Sequence, residues 1–123
     1  MAYVLALDTM EKERPYEDHS CTFMGALLCD GVASFVQLGD GAIVVNNVDG
    51  SGWQHIFWPQ HGEQANMTNF LVNSNALQSF EFRSLKCNVD EVSMFTDGLE
   101  GLLLRRADKA AHAPFFDRAF AFV

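Results

Sequence analysis

Through the first half of the chain, apolar residues come in short runs separated by turn residues. Thr22 to Leu28 is one run, Asp30-Gly31 a turn signal, and Ala33 to Leu38 a second run; Gly39-Asp40-Gly41 then breaks the pattern before Ala42-Ile43-Val44-Val45. Runs of this length bounded by Gly and Asp predict strands joined by tight connections, so this half reads as a β-meander. The turn cluster Asp49-Gly50-Ser51-Gly52 leads into Trp53 to Trp58, an aromatic and β-branched stretch that predicts a fourth strand ended by Pro59. After a polar stretch from Gln60 to Thr68, Leu77 to Phe82 shows partial alternation. Glu91 to Thr96 puts Val92 and Met94 on one face and Ser93 and Phe95 on the other.

Helical spacing comes late. Leu99 to Arg106 predicts a short helix closing on two arginines, as a helix C-terminus favours. Pro114 marks a second helix start, with Phe115, Phe116 and Phe120 able to share one face. Strands followed by helices predict an α+β fold in which antiparallel β-sheets carry packing helices. Glu11 to His19 is charged and broken by Pro15, so residues 1–20 read as an N-terminal segment and linker and residues 21–123 as the folded part. Too few helices are available to cover the sheets, and the chain ends on the apolar Ala121-Phe122-Val123, so the domain is expected to be partial.

With 123 residues, 49% of them hydrophobic and eleven Phe, the chain has the composition of one globular domain and not of a disordered tail. A net charge of −8 argues against nucleic acid and anionic membrane as partners, since both need a cationic surface. The apolar start, Met1 to Leu7, is interrupted by Asp8 and lacks a basic leader, so neither a signal peptide nor a membrane span is expected. Cys21, Cys29 and Cys87 are odd in number and widely spaced, which suits reduced thiols in the cytoplasm rather than a disulfide framework or zinc knuckle.

Asp-Gly occurs four times, at Asp30, Asp40, Asp49 and Asp97. The ordinary reading of each is a type I′ hairpin turn. Asp40 differs because glycine flanks it on both sides, leaving its carboxylate with little steric cover. Asp97 differs because it closes an apolar strand, where a desolvated carboxylate calls for a cation or donors; Mg²⁺ and Mn²⁺ are held by few carboxylates plus water and suit such a position. His19, His55, His61 and His112 lack a zinc spacing. Trp53 and Trp58, an odd number of residues apart, are expected on opposite faces of their strand in cross-strand packing; a carbohydrate-binding sandwich is the rival reading of these aromatics.

The series Cys21 to Leu28, then Phe35-Val36-Gln37-Leu38-Gly39-Asp40-Gly41-Ala42 to Val45, then Met94-Phe95-Thr96-Asp97-Gly98-Leu99-Glu100 resembles the central motifs of type-2C (PPM) metal-dependent protein serine/threonine phosphatases. Phe57 to Leu71 and Ala113 to Phe116 resemble segments of a bacterial subgroup. The resemblance implies a partial α-β-β-α sandwich whose complete form holds two or three Mn²⁺ or Mg²⁺ ions and hydrolyses phosphoserine or phosphothreonine in protein substrates. It further implies that Asp97, with Gly98, matches a core metal ligand, that Asp40 matches a ligand of a third, weaker ion, and that Glu100 joins that outer site. The family's N-terminal carboxylate, its early Asp-Gly ligand and its late Asp-Asp motif have no counterpart in this sequence. The chain is therefore expected to be the central part of such a domain, inactive alone; a catalytically dead module that binds a partner through the sheet is the alternative. The sequence specifies no oligomeric state.

Overall fold

The computed structural model describes residues 20–47, 50–60 and 68–121. The Glu11–His19 linker, the Met1–Leu7 run, Asp49, most of the polar stretch after Gln60 and the last two residues lie outside the described residues. Within them the order is β1 (Phe23–Cys29), β2 (Val32–Leu38), β3 (Ala42–Asn47), β4 (Trp53–Phe57), α1 (Ala76–Ser79), β5 (Glu81–Leu85) and β6 (Val89–Phe95). A 3₁₀ turn (Asp97–Leu99), α2 (Glu100–Leu103), β7 (Leu104–Arg105), β8 (Ala110–Ala111) and α3 (Ala113–Phe120) complete it. The architecture is α+β, as the pattern predicts.

Two three-stranded antiparallel sheets stack face to face, one ordered β1-β2-β5 and the other β4-β3-β6, with β7 and β8 as a separate small hairpin. Period-two alternation explains the stacking. Ala33 and Phe35 of β2 meet Ile43 and Val45 of β3 and Ile56 and Phe57 of β4 in one buried cluster between the sheets. The opposite face of β3 sends Ala42 and Val44 into a second cluster with Phe95, Leu103, Leu104, Ala111 and Phe116. β3 is thus buried on both faces, and α3 covers the second sheet.

The first sheet has no such cover among the described residues. Phe23, Leu27 and Val32 lie on its outer face with Phe82, which is 71% exposed. Three of the four α-β-β-α layers, both sheets and the helical layer on the second, are therefore present in the described residues.

Four local expectations are corrected. Only Gly31 of the β1–β2 turn has a positive φ, at 74°, and Asp30 does not, so this hairpin is not type I′. Leu77 to Phe82 divides into α1 and the start of β5. The Leu99–Arg106 helix ends at Leu103, and its arginines fall in and after β7; His112 N–H donates to Leu103 O, where a continuing helix would have placed its own bond. In α3, Phe116 is buried and Phe120 half-buried, while Phe115 turns outward and meets Phe116 edge-on.

The tryptophan expectation fails because of a β-bulge. Val44 pairs with His55 and Ile43 with Phe57, so Ile56 is an extra residue on β4. Ile56 and Phe57 both enter the inter-sheet core, and the alternation is reset. Trp53 and Trp58 therefore pack on the same cluster beneath α3 instead of on opposite faces. Trp53 stacks on Phe116 at 4.9 Å, and its Nε1–H donates to Asp117 Oδ1 at 2.7 Å.

Phe116 joins α3 to the sheet with no exposed surface of its own. Phe116→Ala is expected to cost about 3–5 kcal/mol, read as a fall in the urea midpoint with unchanged slope. A loss below about 1 kcal/mol would mean that α3 is not anchored there.

Candidate functional site

The three residues Gly39-Asp40-Gly41 carry the chain from the first sheet to the second, a change of layer that leaves no room for side chains on either side of Asp40. Gly39 has φ +107°, and a Cβ there would stand 2.3 Å from Thr22 Cγ2. A Cβ on Gly41 would stand 2.6 Å from Met24 Sδ and 3.0 Å from Phe95 O. The glycines are required because the turn runs against both the start of β1 and the end of β6.

That second contact locates the site. Ala42 pairs with Phe95 in the antiparallel β3–β6 ladder. Asp40 lies two residues before Ala42 and Asp97 two residues after Phe95, so the register brings both carboxylates to the same end of the central strand pair. Asp40 is half-buried and accepts a 2.6 Å hydrogen bond from Thr68 Oγ1.

Asp97 opens the 3₁₀ turn and is exposed, which removes the desolvation argument made for it from strand position alone. Gly98 has open space around it, and neither it nor Asp97 has a positive φ, so Asp97-Gly98 is not a hairpin turn. Glu100 lies at the start of α2 with its side chain 5% exposed, and Arg106 Nη2 approaches its Oε1 at 3.2 Å.

Three residues that hold the Asp40 turn were not singled out from the sequence. Gln37 is fully buried at an inward position of β2, and its Nε2 donates to Gly41 O at 2.8 Å. Gln60 Oε1 accepts from Gly39 N at 3.0 Å, and Thr68 holds the carboxylate itself. Only Gln37 had a visible signal, a polar side chain continuing the inward series Ala33, Phe35.

Metal fit follows from the donor set. Among the described residues no group of three or more His, Cys, Asp or Glu side chains converges to hold an ion. A two-metal centre needs several oxygen ligands for each ion, and two carboxylates at one strand end do not fit it. Among the remaining candidates, the three cysteines are free thiols, and His55 stands edge-on to Trp58 at 5.3 Å.

Comparisons with known proteins bear on this geometry. The family model described as Protein phosphatase 2C matches residues 3–123. Serine/threonine-protein phosphatase 3 of Escherichia coli (strain K12) is 36% identical over 109 residues, which cover 89% of this chain and 42% of that protein. This chain therefore spans less than half the length of the curated relative it matches. No solved structure matches it significantly.

Two outcomes are expected of the site's surroundings. Gly39→Ala should destabilise the fold by about 2 kcal/mol or more, because it combines a positive φ with a clash, whereas Gly98→Ala, in open space, should change stability by less than about 1 kcal/mol; equal urea midpoints for the two would contradict the turn geometry. His55 has its pKa lowered from 6.5, first by burial and then by the positive charges of Arg83 and Lys109. The unfolded chain then binds the proton more readily than the folded one, so stability is lost as pH falls from about 6.5 toward the folded-state value. Against wild type, His55→Gln should lose less stability between pH 7.5 and 5.5 in urea titrations, and parallel losses would contradict this.

Proposed function

Because the chain belongs to the protein phosphatase 2C family, we propose that it is part of a metal-dependent protein serine/threonine phosphatase domain, a class that hydrolyses phosphoserine and phosphothreonine monoesters on protein substrates. In this reading residues 21–123 are the partial domain, residues 1–20 its N-terminal segment and linker, and the cytoplasm its setting. The observation that carries it is the pairing of Ala42 with Phe95, which gathers Asp40 and Asp97 at one end of the central strands. Asp97, together with Gly98, is then the residue offered to a core Mn²⁺ or Mg²⁺, and Asp40 the residue offered to an outer one. Glu100 would join the outer site only by exchanging its contact with Arg106.

When bound, such ions lower the pKa of a water nucleophile and neutralise phosphoryl oxygens. The described residues do not by themselves fit the two-metal centre, and none of them is given a hydrolytic step. What they contribute is a shaped strand end: a carboxylate fixed by Thr68 on a glycine turn, and a second, exposed carboxylate beside it. The chain alone is accordingly proposed to be inactive.

A second reading, a catalytically dead module that binds a partner, is favoured by the bare outer face of the β1-β2-β5 sheet, where Leu27 is 66% exposed and Phe82 71%. Titration with Mn²⁺ separates the two readings. Binding at micromolar metal that Asp97→Asn abolishes supports the first, and no binding at millimolar metal supports the second. Hydrolysis of p-nitrophenyl phosphate with added Mn²⁺ is expected to match the metal-only blank, and a rate well above that blank would overturn the proposed inactivity.

A further inference from the structure

We infer that Gln60 is the positioning residue of the Asp40 carboxylate. The inference rests on the reading of Asp40 as an acidic group that acts at the end of the β3–β6 pair, and it names what fixes that group there. A primary amide offers two donors and an acceptor oxygen with two lone pairs, and Gln60 uses all of them. Its Oε1 accepts from Gly39 N at 3.0 Å and from Asn69 Nδ2 at 3.4 Å; its Nε2 donates to Ser79 O and to Glu81 Oε2, both at 2.9 Å. Its own backbone N–H donates to Gly39 O at 3.3 Å.

The peptide N–H and the carbonyl of Gly39 belong to the two peptide planes on either side of its Cα. Gln60 holds both planes, one through its side chain and one through its backbone. Those planes define the φ and ψ of Gly39, a residue at +107° that has no side chain to restrict it, and so set the direction in which Asp40 leaves the turn. The same Oε1 also holds Asn69, the neighbour of Thr68, whose hydroxyl donates to the Asp40 carboxylate. One amide therefore ties together the turn that presents the carboxylate and the segment that hydrogen-bonds it, and anchors both to Ser79 and Glu81 at the start of β5. Gln37 holds the inner side of the turn, its Nε2 donating to Gly41 O at 2.8 Å and more weakly to Gly39 O at 3.5 Å, but it makes no hydrogen bond with Gly39 N or with Thr68.

The test is Gln60→Glu in the full chain, followed by the ¹H–¹⁵N signals of Gly39, Asp40 and Gly41 as pH is varied. The exchange keeps the acceptor for Gly39 N–H, removes the donors to Ser79 and Glu81, and sets a second carboxylate against Glu81. Two carboxylates in contact retain a shared proton to a higher pH than either alone. At neutral pH the Gly39 amide signal is expected to leave its wild-type position and that of Asp40 to move with it; on acidification, as the introduced carboxyl regains a proton to donate, the Gly39 signal should return. In Gln60→Ala the Gly39 amide proton should move upfield and show no such return, which separates positioning from simple loss of packing.

Wild-type Gly39 and Asp40 signals in Gln60→Glu at every pH would overturn the inference, as would a displaced Gly39 signal that fails to recover on acidification. Should the single exchange fail to fold, the double exchange Gln60→Glu with Glu81→Gln removes the like charges and is expected to restore the Gly39 signal without acidification; a displaced signal in that folded protein is equally contrary. These signals are independent of catalysis and of metal, so a chain that binds no Mn²⁺ at millimolar concentration would count against the metal-site reading and leave the role of Gln60 to be judged on its own.

Discussion

Everything in this chain is organised around a strand with no free face. β3 buries Ile43 and Val45 against the first sheet and Ala42 and Val44 against the helical layer. A one-residue slip would exchange these two sets, so packing on both sides fixes its register against β6. From that register the rest of the site follows: where β3 begins, Asp40 is delivered by the glycine turn, and where β6 ends beside it, Asp97 opens the 3₁₀ turn. The two acidic positions share one end of the strand pair because hydrophobic side chains elsewhere on the same strands fix that register.

Burial on both sides of β3 contrasts with the first sheet, whose outer face is buried at Leu38 but leaves Leu27 and Phe82 exposed. Leu27 and Phe82 face outward, while Ala33 and Phe35 on the inner face are almost fully buried. A sheet that excludes water from one face and leaves apolar residues on the other has a surface suited to another layer. The same chain thus combines a central pair of strands buried on both faces with two carboxylates at one end of that pair.

The strands were legible because alternation and turn residues report directly on which face is buried. The runs Ala33 to Leu38 and Ala42 to Val45 mark two of these strands, and Asp40 stands out by its flanking glycines. What was hidden depends on single insertions and on distant partners. One extra residue, Ile56, reverses the facing of everything after it on β4 and brings Trp58 to the side of Trp53. The Leu99–Arg106 spacing looked helical until Leu104, which turns into a hairpin whose partner lies at Ala111. Gln60 contacts Gly39 across 21 residues of chain, a separation at which residue type carries no local signal. Asp97 was located correctly at a strand end, but the assumption that it is desolvated came from its apolar neighbours, and these point away from it.

The most direct measurement is the register of β3 against β6 in solution, read from cross-strand nuclear Overhauser contacts between backbone protons. Contacts linking Ala42 to Phe95 and Val44 to Ser93 are the expected result, with Asp40 and Asp97 left at a common end. Contacts linking Ala42 to Met94 or to Thr96 instead would turn Phe95 out of its core, separate the two acidic positions and contradict the site.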